Sequence, residues 1–332
     1  MMRALVVSYA FPPVGGAGVQ RVLKLVKYLP GCGVTPTVLT ARSPSVPVYD
    51  ASLARDVPEG TEVLRAITFE PAYTAKKLVW QSEGRAAASL LARVRGKALG
   101  FARHLLVPDP QILWLPAAHQ MLAKRLFRNR DLNLVFISGP PFSQFLLAPL
   151  ARCQAGVAVV LDYRDEWSTT SSAYEMLNSR RASALLERAM LHCAHAVTTA
   201  TPEFRRELLA RFPFLDPSRV VAIPNGYDPD DFPPNLPAPP GDRLVLSYVG
   251  TVFRLTSART LVSAVRLLHA REPELAKLLQ VRFAGRIVDT EESYFEGTEA
   301  LGIHRLGYLD HARAIEQLAA SHVALCILDD VP

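Results

Sequence analysis

Short apolar runs recur along the first two thirds of the chain, and each is followed by a turn and then by a longer stretch with apolar positions three or four apart. The runs are Ala4 to Ser8, Pro36 to Thr40, Leu134 to Ser138, Ala158 to Asp162 and Ala196 to Thr199. Apolar runs of this length bounded by turn residues read as buried strands, and the helically spaced stretches between them read as crossovers. Strands alternating with helices predict βαβ units and a parallel sheet, an α/β fold.

The alternation is interrupted at "PNGYDPDDFPPNLPAPPGD", where Pro233, Pro234, Pro237, Pro239 and Pro240 crowd together. Such density blocks regular structure and marks a linker. The expected organisation is an N-terminal Rossmann-like domain over 1–232, a proline-rich linker over 233–243 and a second domain over 244–332. Within the second domain the pattern restarts. "LVLSYVG" reads as a strand ending at Gly250, "SARTLVSAVRLLHA" as a helix, "LQVRFAG" as a strand ending at Gly285, and "ARAIEQLAASH" leads into the strand "VALCIL". A doubly wound domain has about five or six strands. Three or four are legible here, so the expectation is a chain truncated at its C-terminus, its second domain incomplete.

Composition adds bounds. With 332 residues, 49% hydrophobic and 20% charged, the chain has core material for two domains. A formal net charge of +6 points to an anionic partner: a phosphate, a nucleic acid or an acidic membrane surface. Cys32, Cys153, Cys193 and Cys326 form no CxxC pair or Cys/His cluster and read as reduced core residues of a cytosolic protein. The N-terminal strand pattern runs into glycines before a signal-peptide h-region is complete, and no stretch of about 18 uncharged apolar residues occurs. The segment 76–108 is strongly basic, with Lys76, Lys77, Arg85, Arg93, Arg95, Lys97 and Arg103 against Glu83 alone. Leu90, Leu91, Val94, Ala98, Phe101, Ala102 and Leu105 give it one greasy helical face. Two readings fit: a helix lying on an anionic membrane, or one packed on the core with its cations solvated.

Candidate chemistry gathers at strand ends. Gly15, Gly16 and Gly18 stand between the first strand and a helix beginning near Val19, where backbone N–H groups and the helix dipole can meet a phosphate. A tight strand-to-helix turn is the plainer alternative. A dinucleotide fingerprint fits poorly, because GxGxxG laid on Gly16 and Gly18 needs glycine at Arg21, and the second strand ends "VLTAR" with no acidic ribose ligand. "VLDYRDEW" puts Asp162, Arg164, Asp165 and Glu166 at the C-terminal end of a strand, the edge at which open α/β sheets bind ligands. The same charges can instead pair with one another. "ISGPPFSQFLLA" sets Ser138, Gly139, Pro140, Pro141 and Ser143 at a neighbouring strand end, and Ser143 can alternatively cap the next helix. Asp228 and Asp230 spell DxD, but Asn225-Gly226 before them favours turn chemistry over a metal.

Taken in order, "PPVGGAG", "PDPQILWLPAA", "SGPP", "DYRDEW", "VVAIPNGYD", "YVGTVF", "RFAG" and "RLGYL" resemble the family 4 glycosyltransferases. The resemblance covers essentially the whole chain and implies the GT-B fold, two Rossmann-like domains with parallel sheets facing a cleft. It implies a retaining transferase without a cofactor or essential metal, which moves sugar from a UDP- or GDP-linked donor to a glycan or lipid-linked acceptor, in the setting of cell-envelope polysaccharide synthesis. Nucleic acid is not an implied partner. The implied place is cytoplasmic or peripheral on the inner face of the cell membrane. Gly15, Gly16 and Gly18 would take the donor diphosphate, and Ser138, Gly139, Asp162, Gly250, Gly285 and Arg286 would line the cleft. Many members have Arg after the glycine of the first C-domain strand and Lys several residues on, where this chain has Thr251 and Ser257-Ala258. Arg254 and Arg259 are the candidate substitutes. Many members carry His where "DYRD" stands, which makes Asp165 the first candidate for the catalytic role at the sugar and Arg164 the second. The family's Glu, seven residues, Glu motif would follow "VALCIL", past Pro332. The rival readings are a sugar-nucleotide epimerase of the same fold, a non-catalytic nucleotide or sugar-binding module and, third, a nicotinamide-dependent dehydrogenase.

Overall fold

The computed structural model describes residues 2–70, 73, 106–128, 131–168 and 180–328. Most of the basic segment 76–108 lies outside them, so the two readings of that segment find no test here. By internal contacts the chain divides into two units. The first comprises Met1–Val14, Gly18–Tyr49 and Ala54–Gly226; the second comprises Gly15–Ala17, Asp50–Leu53 and Tyr227–Pro332.

Unit 1 carries a seven-stranded sheet of β1 (Met2–Val7), β2 (Val34–Arg42), β3 (Glu62–Ile67), β4 (Leu134–Gly139), β5 (Ala158–Tyr163), β6 (Ala196–Thr199) and β7 (Val220–Ala222). Its order is β3-β2-β1-β4-β5-β6-β7 and every pair is parallel. Helices α1 (Ala17–Tyr28), α2 (Leu115–Arg128), α3 (Arg180–Cys193) and α4 (Pro202–Arg211) belong to the same unit's sequence, α1 beginning inside the glycine cluster. The central strands are apolar on both faces, so Leu5, Val7, Leu39, Val135, Ile137 and Leu161 are buried in one core with Trp114 and Trp167. Burial on both faces explains the near-continuous apolar runs by which the sequence announced these strands. The strand order reverses between β1 and β4, and loops leaving the C-terminal ends of those strands flank that point.

Unit 2 carries a four-stranded parallel sheet, β10 (Ile303–Gly307), β9 (Leu279–Ala284), β8 (Leu244–Val249) and β11 (Val323–Ala324), in that order. Its core is built by Val262 and Val265 of α5 (Arg259–Arg271) with Val281, Phe283, Phe295 and Ile303. Helix α6 (His311–Ala319) precedes β11.

Four expectations change. β3 was not legible, because as an edge strand it exposes Glu62, Arg65 and Ile67 rather than forming an unbroken apolar run. β10 was quoted only as part of a motif, and its outer half is exposed. "VALCIL" pairs with β8 over only Val323 and Ala324 at the sheet edge. The cysteines are free, but they are not core residues: Cys32, Cys153 and Cys326 are exposed and Cys193 is half-buried, the first two and Cys193 at helix ends and Cys326 just after the edge strand β11.

Both units use histidine at the start of a strand in the same way. His195, just before β6, donates its N–H to Val159 O at 2.8 Å and accepts Val159 N–H on ring Nδ1 at 2.9 Å. His322, just before β11, donates to Val245 O at 2.9 Å and accepts Val245 N–H on Nδ1 at 3.1 Å. An accepting Nδ1 requires the neutral imidazole. Burial, then the charges of Arg152 and Arg219, hold the His195 value below the ordinary imidazole range. The unfolded chain therefore binds the proton more readily, and this contribution to stability is present above pH 6.5 and lost as pH falls through the depressed folded value. Thermal melts across this range should show His195→Ala less stable than the wild type at neutral pH, with the two converging in acid. A constant difference at every pH would refute the clasp.

Candidate functional site

The site residues expected from sequence fall into two sets. In unit 1, β4 ends at Ser138 and Gly139 and β5 at Asp162 and Tyr163, side by side in register. Asp162 is fully buried and its carboxylate is saturated. It accepts from Ser138 Oγ at 2.6 Å and Thr198 Oγ1 at 2.6 Å, and from Arg21 Nη2 at 2.8 Å and Nε at 3.1 and 3.2 Å. A buried carboxylate with every lone pair taken holds the sheet end together, and it has no capacity left for a ligand. Arg21, which sequence reasoning met only as the residue spoiling a dinucleotide motif, is its counter-ion.

Arg164 reaches in the opposite direction. Its backbone N–H donates to Gly139 O at 2.9 Å and its guanidinium donates to the carbonyls of Gly139, Pro140 and Gly18. The first turn of α1 is thus fastened to the end of β4. Burial lowers the Arg164 value, opposed by the carboxylates of Asp162 and Asp165; starting from its ordinary high value, the group stays charged. Asp165, next in the chain, is open to solvent on one side. The surrounding protein raises its carboxyl above the ordinary range, with Arg164 opposing and Glu166 adding to the rise. Glu166 lies beside Glu207 of α4, whose carboxyl is raised chiefly by that like charge. Gln144, fully buried, accepts from Tyr9 N–H at 2.8 Å and donates to Ser138 O, so it joins the segments following β1 and β4. Nothing in the sequence pattern marked Gln144. Behind the loop, Glu187 of α3 accepts from Ser168, and burial pushes its carboxyl up.

The glycine cluster is differentiated. Gly16 has φ +91°, with no atom within 4 Å of the place a Cβ would occupy, whereas a Cβ on Gly18 would meet Arg164 Nη1 at an ordinary 3.6 Å. Gly16 therefore needs its left-handed backbone, and Gly18 lies in the first turn of α1. The helix starts at Ala17, two residues before the expected Val19, and its first N–H groups have no acceptors within the helix.

In unit 2, Gly250 and Gly285 follow β8 and β9. Gly250 N–H donates to Ala284 O at 2.9 Å and Gly285 N–H to Gly307 O at 2.7 Å. A Cβ on Gly285 would stand 2.0 Å from Gly250 O, so Gly285 needs to lack a side chain simply to pack, while a Cβ on Gly250 would meet the Tyr248 hydroxyl at 3.0 Å. Arg286 is half-buried, and its carbonyl accepts from Val252 N–H at 2.8 Å. Arg254 opens a one-turn helix, Arg254–Thr256, and Arg259 is the first residue of α5; both are exposed. Asp228 caps its own turn, Oδ1 accepting Asp230 N–H at 3.1 Å.

Comparison with known proteins places this arrangement. The Glycosyl transferase 4-like domain matches residues 15–226, from the glycine cluster to the end of unit 1. The chain belongs to this family. Alpha-maltose-1-phosphate synthase of Mycolicibacterium smegmatis is 27% identical over 189 residues, which are 52% of this chain and 47% of the relative, so the match spans about half of that protein. Sucrose-phosphate synthase of Thermosynechococcus elongatus superposes with a TM-score of 0.60 at 15% identity, covering 98% of this chain and 75% of that one. Anabaena HepE, solved in complex with UDP and glucose, gives a TM-score of 0.55 at 12% identity, covering 98% and 73%. At such identities the structures speak for the fold, GT-B with two parallel-sheet units. Among the described residues no helix is long and apolar enough to cross a membrane.

Proposed function

We propose that this protein is a retaining glycosyltransferase that transfers a sugar from a nucleotide-diphosphate donor, UDP- or GDP-linked, to a glycan or lipid-linked acceptor in cell-envelope polysaccharide synthesis, working in the cytoplasm or on the inner membrane face. The observation that carries the reading is the left-handed Gly16 with open space above it, at the N-terminus of a 12-residue helix. Backbone N–H groups aimed from such a terminus suit the charge that grows on a diphosphate as the glycosidic bond to it breaks. Family membership and relatives that include sugar-transfer enzymes support the same reading. The donor is a substrate and no cofactor or metal is assigned. In this reading Asp165, raised by its surroundings and accessible on one side, hydrogen-bonds the transferred sugar, while Arg164 shapes the loop that presents it.

The test is nucleotide binding by calorimetry and turnover of labelled UDP- and GDP-sugars. Gly16→Val should weaken binding of the preferred nucleotide more than tenfold, about 1.4 kcal/mol or more. Its melting temperature should fall by only a few degrees, because space for a side chain exists and the strain is local. Unchanged affinity would sink the phosphate-loop assignment. An isomerised donor with no sugar transferred would point to the epimerase reading, and binding without reaction to the non-catalytic one.

A further inference from the structure

Arg21 makes more contacts than neutralising Asp162 requires. Nε and Nη2 engage both carboxylate oxygens, while Nη1 extends past them to the Ile223 carbonyl at 2.8 Å and the Asn225 side-chain oxygen at 3.1 Å. Residues 223–225 are the last stretch of unit 1, which ends at Gly226. The other end of the lever is α1, whose first turn holds Gly18 and, through its carbonyl, Arg164. One planar fork, carried by α1, therefore joins the buried end of β5 to the last stretch of unit 1.

We propose that Arg21 is a positioning residue for the nucleotide site, locking the first turn of α1, where Gly18 lies, to residues 223–225 so that neither moves without the other. This rests on the diphosphate reading of the glycine loop. The chemistry specifies arginine. A rigid fork with five donors can hold a carboxylate in two-point contact while serving two further acceptors, whereas a lysine ammonium on a flexible stem meets them one at a time. The side chain is only 9% exposed and Asp162 is fully buried, so water is a poor substitute at that end of the fork, whereas the acceptors on 223–225 face solvent.

Arg21→Lys separates positioning from charge balance, because it keeps a cation against Asp162 and gives up the reach to 223–225. In the full chain it should fold with a melting temperature a few degrees lower and bind UDP or GDP about tenfold more weakly. Hydrogen exchange should quicken together at residues 18–22 and 223–226, with β4, β5 and β6 still protected. Asn225→Ala, which removes one arm, should give a smaller part of the same affinity loss without a stability change. Unchanged affinity in Arg21→Lys, in a protein whose Gly16→Val counterpart has lost the nucleotide, would overturn the proposal. So would loss of protection across the whole sheet, which would make Arg21 a core support only. A wild-type protein that binds neither nucleotide would instead remove the donor reading, and the positioning role with it.

Discussion

Gly285→Ala should selectively unfold unit 2. The added Cβ would lie 2.0 Å from the Gly250 carbonyl oxygen and 2.8 Å from its carbon, and the obstacle is backbone that cannot rotate away. The φ of +131° adds strain of its own. Overpacking and the left-handed penalty together amount to about 3–5 kcal/mol, comparable to the whole stability of a small sheet with one helical core. The protein supplies its own reporter, since all three tryptophans, Trp80, Trp114 and Trp167, precede residue 168. Urea unfolding followed by tryptophan fluorescence should hardly shift, while far-ultraviolet circular dichroism should lose an early component. Gly297→Ala is the control, because φ is +69° there but no atom lies within 4 Å of the new Cβ. It should cost about 1–2 kcal/mol. Equal effects of the two substitutions would show that close approach of β8 and β9 is not what requires glycine at 285.

The same pair of residues shows where reading the sequence succeeds and where it stops. Gly250 and Gly285 are visible in sequence as the ends of apolar runs, and resemblance assigned them to a cleft. That Gly285 is also required by the backbone of Gly250 is a fact about packing between strands some 35 positions apart, which no local pattern encodes. The buried strands β1, β2, β4, β5 and β6 were legible because burial on both faces writes itself as an unbroken apolar run. β3 was illegible for the converse reason. The sequence marked candidate glycines and carboxylates at the strand ends without separating the carboxylates: Asp162 and Asp165 stand three residues apart on one motif, and only the hydrogen-bond partners distinguish a saturated structural group from an accessible one. Arg21 looked like a defect in a motif. Its purpose depends on Asp162 and Asn225, which lie 141 and 204 positions away.

The Arg21–Asp162 pair also sets the second large expected effect. Asp162→Leu would leave the guanidinium without its counter-charge and strand the hydroxyls of Ser138 and Thr198 without their acceptor. Removing one member of a buried pair costs about 3–5 kcal/mol, most of it the desolvation of what remains. Arg21→Met leaves the carboxylate in the same position and should cost as much. The double variant removes both charges, so its loss should fall short of the sum by about 2–3 kcal/mol. It should not return to the wild-type value, because the buried hydroxyls of Ser138 and Thr198 lose their acceptor. An exposed pair gives the contrast. Lys277 and Glu274 meet at 2.6 Å with side chains 66% and 82% exposed, and Lys277→Ala should change stability by less than about 0.5 kcal/mol. Urea melts of the four proteins would decide the matter. Additive losses at Arg21 and Asp162 would mean that water or another group compensates each charge, and the sheet end would then owe its order to the hydroxyl contacts rather than to the ion pair.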